Sequence, residues 1–122
     1  DGWQPKSDCI FNIDNILQDS DVLLVEGIFD AIPLRGLSVG ALLGKVVSDK
    51  QLVKILKLKP RSVTILLDGD GETSLESTAL SLASRFYALV PEVRYAIMPA
   101  GLDPADAPRV AENLFYNAEV LL

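Results

Sequence analysis

"SVTILLDGDGETSLES", residues 62–77, decides the fold. Val63 to Leu67 carry no charge, as expected of a strand covered on both faces. The strand stops at Asp68, with Gly69, Asp70 and Gly71 following. A helix then begins near Thr73, where Thr73 and Glu76 have capping-box spacing. Leu75, Ala79, Leu82, Phe86 and Leu89 recur at helical spacing until Pro91. A buried strand that ends by placing two aspartates one residue apart gathers like charges, and each raises the other's pKa. The rest of the chain has to supply a reason.

The same strand-then-helix alternation extends outward in both directions. Upstream, "DVLLVEG" (21–27) is an apolar run closed by glycine, and "IFDAIPLRG" (28–36) is a short helix with Pro33 tolerated near its first turn. "LSVGALLG" (37–44) is expected as a second strand. In "VVSDKQLVKILKLKP" (46–60), Ser48 and Gln51 form a capping box, and Val47 can staple onto Leu52. Leu52, Ile55 and Leu56 give that helix its apolar face, with the four lysines Lys50, Lys54, Lys57 and Lys59 outside it as a solvated surface. Downstream, "VRYAIMP" (93–99) is a fourth strand, "AGLDPADAP" (100–108) a loop, and a closing helix follows near residues 107–116. At the front, residues 1–8 are a loose lead-in, "CIF" (9–11) a short edge strand and "NIDNILQDS" (12–20) a short helix. This alternation predicts an α/β domain, a compact Rossmann-like arrangement of about four parallel strands with helices on both faces. Such sheets bind ligands beyond the carboxyl ends of their strands.

Composition narrows the chemistry. A chain of 122 residues with 49% hydrophobic and 23% charged content is one globular domain, 1–122, and is expected to be a piece of a longer protein. No apolar run reaches the roughly 18–20 residues of a membrane span. There is no histidine and a single cysteine, Cys9, which excludes a structural zinc site in this segment and every Ser-His or Cys-His scheme. The lone cysteine fits a cytoplasmic location. A net charge of −6 means that this domain is not the main grip on nucleic acid or that its acids serve metal ions, and the two readings are compatible.

The acids fall where the fold would put a ligand. The first strand ends at Glu26, with Asp30 four residues on; the third ends at Asp68 and Asp70; the fourth leads to Asp103 and Asp106. In a parallel sheet these residues converge on one rim. A hard divalent cation removes the repulsion, and Mg²⁺ is held by one or two carboxylates plus substrate phosphates. Singly, each acid reads more simply as a cap or solvated turn, and Asp106, just before "AP" and a helix, reads best as an N-cap. Lys45, beside Gly44 at a strand end, reads as a turn lysine, and Trp3 and Cys9 as packing residues.

The residues resemble the Toprim family, shared by bacterial-type primases, topoisomerases and some nucleases. "VLLVEGIFD" is similar to its first motif, a strand followed by E-G, two residues and D, on Glu26, Gly27 and Asp30. "VTILLDGD" is similar to its second, a strand ending in D-x-D, on Asp68 and Asp70. "IFNIDNI", "ALLGKVVSDKQLVKIL" and "MPAGLDPADAP" resemble segments of the primase branch, and the likeness covers residues 10 to 110 or so. The chain departs from the primase pattern at Glu72 and Thr73, which stand where Ala-Gly is usual, at Lys45 in place of threonine, and at Ala105 in place of an acid.

The resemblance implies the catalytic Toprim domain of a bacterial or phage-type DNA primase or primase-helicase. Such a domain joins nucleoside triphosphates into an RNA primer on single-stranded DNA. It implies Mg²⁺ or Mn²⁺ held by Glu26, Asp68, Asp70 and Asp103. Glu26 would bind metal or act as general base, supported by Asp30. Template would be held through a basic domain outside this segment, and a replicative helicase is the expected protein partner. Two alternatives stay open: a Toprim-type metal-dependent nuclease, and a non-catalytic docking module of a replication protein, degenerate at "GETS". The tyrosines Tyr87, Tyr95 and Tyr116 sit in helix or strand patterns, which disfavours a topoisomerase.

Overall fold

A computed structural model describes residues 9–34, 36–69 and 74–121. The lead-in 1–8 with Trp3, and the segment 70–73 with Asp70, Gly71, Glu72 and Thr73, lie outside the described residues. Five strands form one sheet: β1 (Asp21–Val25), β2 (Val39–Ala41), β3 (Ser62–Leu67), β4 (Glu92–Ile97) and β5 (Glu119–Val120), in the order β2-β1-β3-β4-β5. β1, β2, β3 and β4 are parallel, with Leu23 opposite Val39, Val22 opposite Val63 and Leu66 opposite Ala96. The fifth strand, absent from the four expected, is an antiparallel edge of two exposed residues.

β1, β2 and β3 are buried on both faces, which explains why β1 and β3 read as continuous apolar runs. Successive side chains alternate between faces. Val22, Leu24, Val63, Ile65 and Leu67 enter one cluster with Ile55 of α2 (Asp49–Leu56) and Leu75, Ala79, Leu82 and Phe86 from α3 (Leu75–Ser84) and the turns after it. Leu23, Val25, Leu66 and Ala96 enter the other. There they meet Ala31 of α1 (Ile28–Ala31) and Ala111 and Phe115 of α4 (Pro108–Tyr116). Each fully buried Leu, Ile or Phe side chain contributes about 1.5–3 kcal/mol of transfer free energy. Helices therefore lie on both faces, as the alternation predicts.

Local grammar accounts for α2. The Ser48 hydroxyl accepts from the Gln51 amide at 3.1 Å, and Gln51 Oε1 accepts from the Ser48 amide at 3.0 Å. Gln51 then goes further than a capping residue. It is almost fully buried, and its Nε2 donates to the carbonyls of Cys9 and Leu42, both at 2.8 Å, tying the segment at Cys9 to the end of β2. Replacing Ser48 by alanine is expected to cost about 1 kcal/mol, read as a lower midpoint in urea denaturation. A midpoint equal to that of the parent chain would refute the cap.

Several boundaries differ from expectation. "CIF" makes a single antiparallel bridge, Phe11 to Ala41, and the helix expected in "NIDNILQDS" is one 3₁₀ turn, Ile13–Asn15. The segment after β1 is four α-helical residues continued by a 3₁₀ turn, Ile32–Leu34, because Pro33 has no N–H to carry an α-helix onward. α3 starts after Ser74, which makes no side-chain cap, and it closes at Ser84 although the apolar spacing continues. Phe86 is fully buried in the turn beyond it, whereas Leu89 is exposed.

Candidate functional site

The chain runs from β1 outward to β2, then returns across β1 to β3. β1 and β3 are neighbours whose onward connections leave to opposite sides, and an open α/β sheet has its natural crevice at such a point. Glu26 follows β1 and Asp68 follows β3. They meet across that crevice: the Asp68 backbone N–H donates to Glu26 Oε1 at 2.9 Å. The two strand ends identified in the sequence are thus joined by a direct hydrogen bond.

Asp30 is aimed into the same place by α1. That helix starts as soon as Gly27 leaves the crevice, and the Asp30 carboxylate accepts from the Gly27 N–H at 3.3 Å. Only 6% of Asp30 is exposed, so burial rather than solvent sets its environment. Asp103 arrives from the other side on the loop between β4 and α4. Its loop is braced by a reciprocal pair: the Asp103 amide donates to Asp106 Oδ2 at 3.1 Å, and the Asp106 amide to Asp103 Oδ1 at 2.9 Å. Asp30, Asp68 and Asp103 each place a carboxylate oxygen within 4.8 Å of the other two.

Gly69 explains how two such loops come so close. Its amide donates to the Leu102 carbonyl at 2.8 Å, and its own carbonyl accepts from Gly101, which has φ +81°. A Cβ on Gly69 would fall 2.5 Å from the Met98 carbonyl oxygen and nearer still to that of Pro99. Glycine is required here by close approach of backbone to backbone. The turn after Asp68 and the loop carrying Asp103 are zipped together, and the acids follow.

No protein-family model matches the sequence, and a search of curated proteins gave no match. Solved structures supply the comparison. The DnaG catalytic core superposes with a TM-score of 0.76 at 21% identity, over 96% of this chain and 42% of that one. A DNA primase domain from Pseudomonas aeruginosa gives 0.74 at 19% identity, covering 96% and 40%. The chain has the Toprim-like fold of the DnaG primases. An Aquifex aeolicus primase structure holding zinc-binding and RNA polymerase domains gives 0.70 at 26% identity, covering 97% of this chain and 32% of that one. This Toprim-like chain therefore spans less than half the length of the primase structures it matches.

Within the Toprim-like fold, the acids singled out in the sequence are placed as follows. Glu26, Asp68 and Asp103 lie on the carboxyl-end rim, and Asp70 lies outside the described residues. Asp30, expected on this rim as a catalytic residue supporting Glu26 rather than as a metal ligand, clusters with Asp68 and Asp103. The signal for this was present in the four-residue step from Glu26, but the spacing alone also fits an ordinary first-turn acid. Asp106 is not the N-cap of α4: Ala107 holds that position without a side-chain cap, Pro108 starts the helix, and Asp106 braces Asp103 instead.

Burial and crowding raise the proton affinity of Asp68 and Asp30. Burial, then the charges of Asp30 and Glu26, push the Asp68 carboxyl from 3.8 to about 7. Burial and the charge of Asp103 also raise Asp30, against hydrogen bonds from the backbone of Gly27 and Ala105 that favour its ionised form. Asp68 Oδ1 is buried with no hydrogen-bond partner. A buried carboxylate oxygen without a donor is costly, and cations are what such an oxygen can accept. Three hard oxygen donors, one of them orphaned, fit Mg²⁺ or Mn²⁺. Among the described residues no histidine is present and Cys9 is the one thiol, so a zinc-type donor set is not formed. No helix among the described residues is long and apolar enough to cross a membrane.

Proposed function

We propose that this chain is the Toprim-like catalytic domain of a DNA primase, joining ribonucleotides into a primer on single-stranded DNA with release of pyrophosphate. The observation that carries the reading is the convergence of Asp30 from α1 with Asp68 and Asp103 from two separate loops, with Asp68 Oδ1 left without a partner. The primase fold of the neighbouring structures agrees with it. Asp30, Asp68 and Asp103 would hold Mg²⁺ or Mn²⁺, joined by Asp70 and Glu26. A bound ion neutralises the charge of the incoming triphosphate and aligns an in-line displacement.

The side chains divide the remaining work. Glu26 holds the Asp68 backbone in place through one oxygen, and its carboxylate would take the proton of an attacking 3′-hydroxyl. Gly69 locks the Asp68 turn to the Asp103 loop, which fixes the spacing of the acids. The reciprocal bonds of Asp103 and Asp106 keep that loop from relaxing as charge accumulates. With a net charge of −6, the chain is not the main grip on template. In this reading basic segments of a longer protein supply that grip, and a replicative helicase is the natural partner.

Mn²⁺ titration tests the reading. Saturable binding is expected, and at 100-fold excess over Kd the ion should stabilise the fold by about 2.7 kcal/mol, seen as a rise in Tm. A melting temperature unmoved by millimolar Mn²⁺ or Mg²⁺ would point instead to a docking module.

A further inference from the structure

Phe29 is the least expected residue on the surface. Phenylalanine is among the side chains most often buried, yet Phe29 is 79% exposed, above every other large apolar side chain among the described residues. It stands on α1 between Gly27 and Asp30, at the carboxyl-end rim of the sheet. Ile32, 37% exposed, lies three residues after Phe29 and four after Ile28, itself 39% exposed, so Ile32 neighbours both along the helical segment. The immediately following residue, Asp30, turns the opposite way into the acid cluster. One short helix therefore presents a carboxylate to the metal centre and an apolar, aromatic surface beside it.

A nucleoside triphosphate has that same division, a polyanion that needs cations at one end and a flat apolar ring at the other. We propose that Phe29, flanked by Ile28 and Ile32, is the stacking platform for the base of the nucleoside triphosphate whose phosphates are held at the Asp30–Asp68–Asp103 centre. The inference rests on the proposed function and adds to it a positioning residue and a ligand subsite. Stacking on an aromatic face is tolerant of base identity, because every base has a π-face. A primer-making site has to accept all four bases, and a hydrogen-bonding pocket would discriminate among them. The patch shares α1 with Asp30 of the acid cluster, which favours a nucleotide over a protein as its occupant.

The test compares ATP, UTP and inorganic triphosphate, each with Mn²⁺, binding to the parent chain and to Phe29→Ala, Phe29→Leu and Phe29→Trp by calorimetry. The parent is expected to bind both nucleotides more tightly than triphosphate. Phe29→Ala should weaken nucleotide binding roughly ten-fold and leave triphosphate binding unchanged. Phe29→Leu should behave like the alanine variant, and Phe29→Trp should restore affinity. Nucleotide binding untouched in Phe29→Ala, or full rescue by leucine, would overturn the inference and return the patch to a protein contact. If the parent binds neither Mn²⁺ nor triphosphate, the proposed function fails first and takes the inference with it. If it binds both, but nucleotides no better than triphosphate, only the stacking platform is lost.

Discussion

Replacing Asp68 by asparagine is expected to lower primer synthesis by the protein containing this chain by about 10³-fold or more, while making the metal-free chain more stable at pH 8. The two effects have one cause. Asp68 is half-buried beside Asp30, Glu26 and Asp103, and desolvation together with their charges holds its carboxyl at about 7 against an ordinary value of 3.8. In the unfolded chain Asp68 loses its proton near 3.8, whereas the folded chain retains it until about 7. Between those values the folded state binds more protons, so this group's contribution falls as pH rises through that window and stays at its lowest above 7. Asparagine cannot ionise and removes that penalty. It also preserves the backbone N–H that donates to Glu26, so the turn has no reason to open. Thermal melts in a chelator at pH 5 and pH 8 should show the variant losing less stability across the interval than the parent. Mn²⁺ affinity should fall at least ten-fold in the same variant. If Asp68 served only the turn, asparagine would leave ion binding intact and bring no gain at pH 8, and either result would remove the metal centre.

The legible parts of this molecule are those whose cause is local. The runs at β1 and β3 announce strands covered on both faces, and Ser48 with Gln51 announces the start of α2 from four residues alone. The rim of acids was also readable, because strand direction and strand ends together determine which side chains can meet. What escaped depends on segments distant in sequence. β5 is two exposed residues, Glu119 and Val120, with no hydrophobic pattern, and it exists only because β4 offers an edge to pair with. Gln51 satisfies carbonyls at Cys9 and Leu42, a task that its capping role conceals. Asp30 has the spacing of an ordinary first-turn acid in the sequence, and only the arrival of Asp103 from beyond β4 makes it part of an acid cluster. Asp106 shows the reverse error: a good N-cap residue in a good place was drawn to the Asp103 amide instead.

That dependence on distant backbone gives the second large effect. Gly69→Ala is expected to destabilise the chain by about 3 kcal/mol or more, well beyond the fraction of a kcal/mol that an exposed turn would lose. In the sequence, Gly69 looks like a residue chosen for conformational freedom between two aspartates. Its φ is not in the left-handed region, so that freedom is not what the position uses. A methyl group would strike the carbonyls of Met98 and Pro99, which are backbone atoms that cannot rotate away. The loop would have to retreat, breaking the bonds from Gly69 to Leu102 and from Gly101 to Gly69. Asp103 would move with it, separating from Asp30 and Asp68. Urea denaturation should report the lost stability, and Mn²⁺ titration of whatever fraction remains folded should report a weakened centre. Gly36→Ala is the matched control, since a Cβ there meets nothing within 4 Å. A Gly69→Ala chain as stable as that control would mean the two loops are not in backbone contact, and the acids would then have no structural reason to converge.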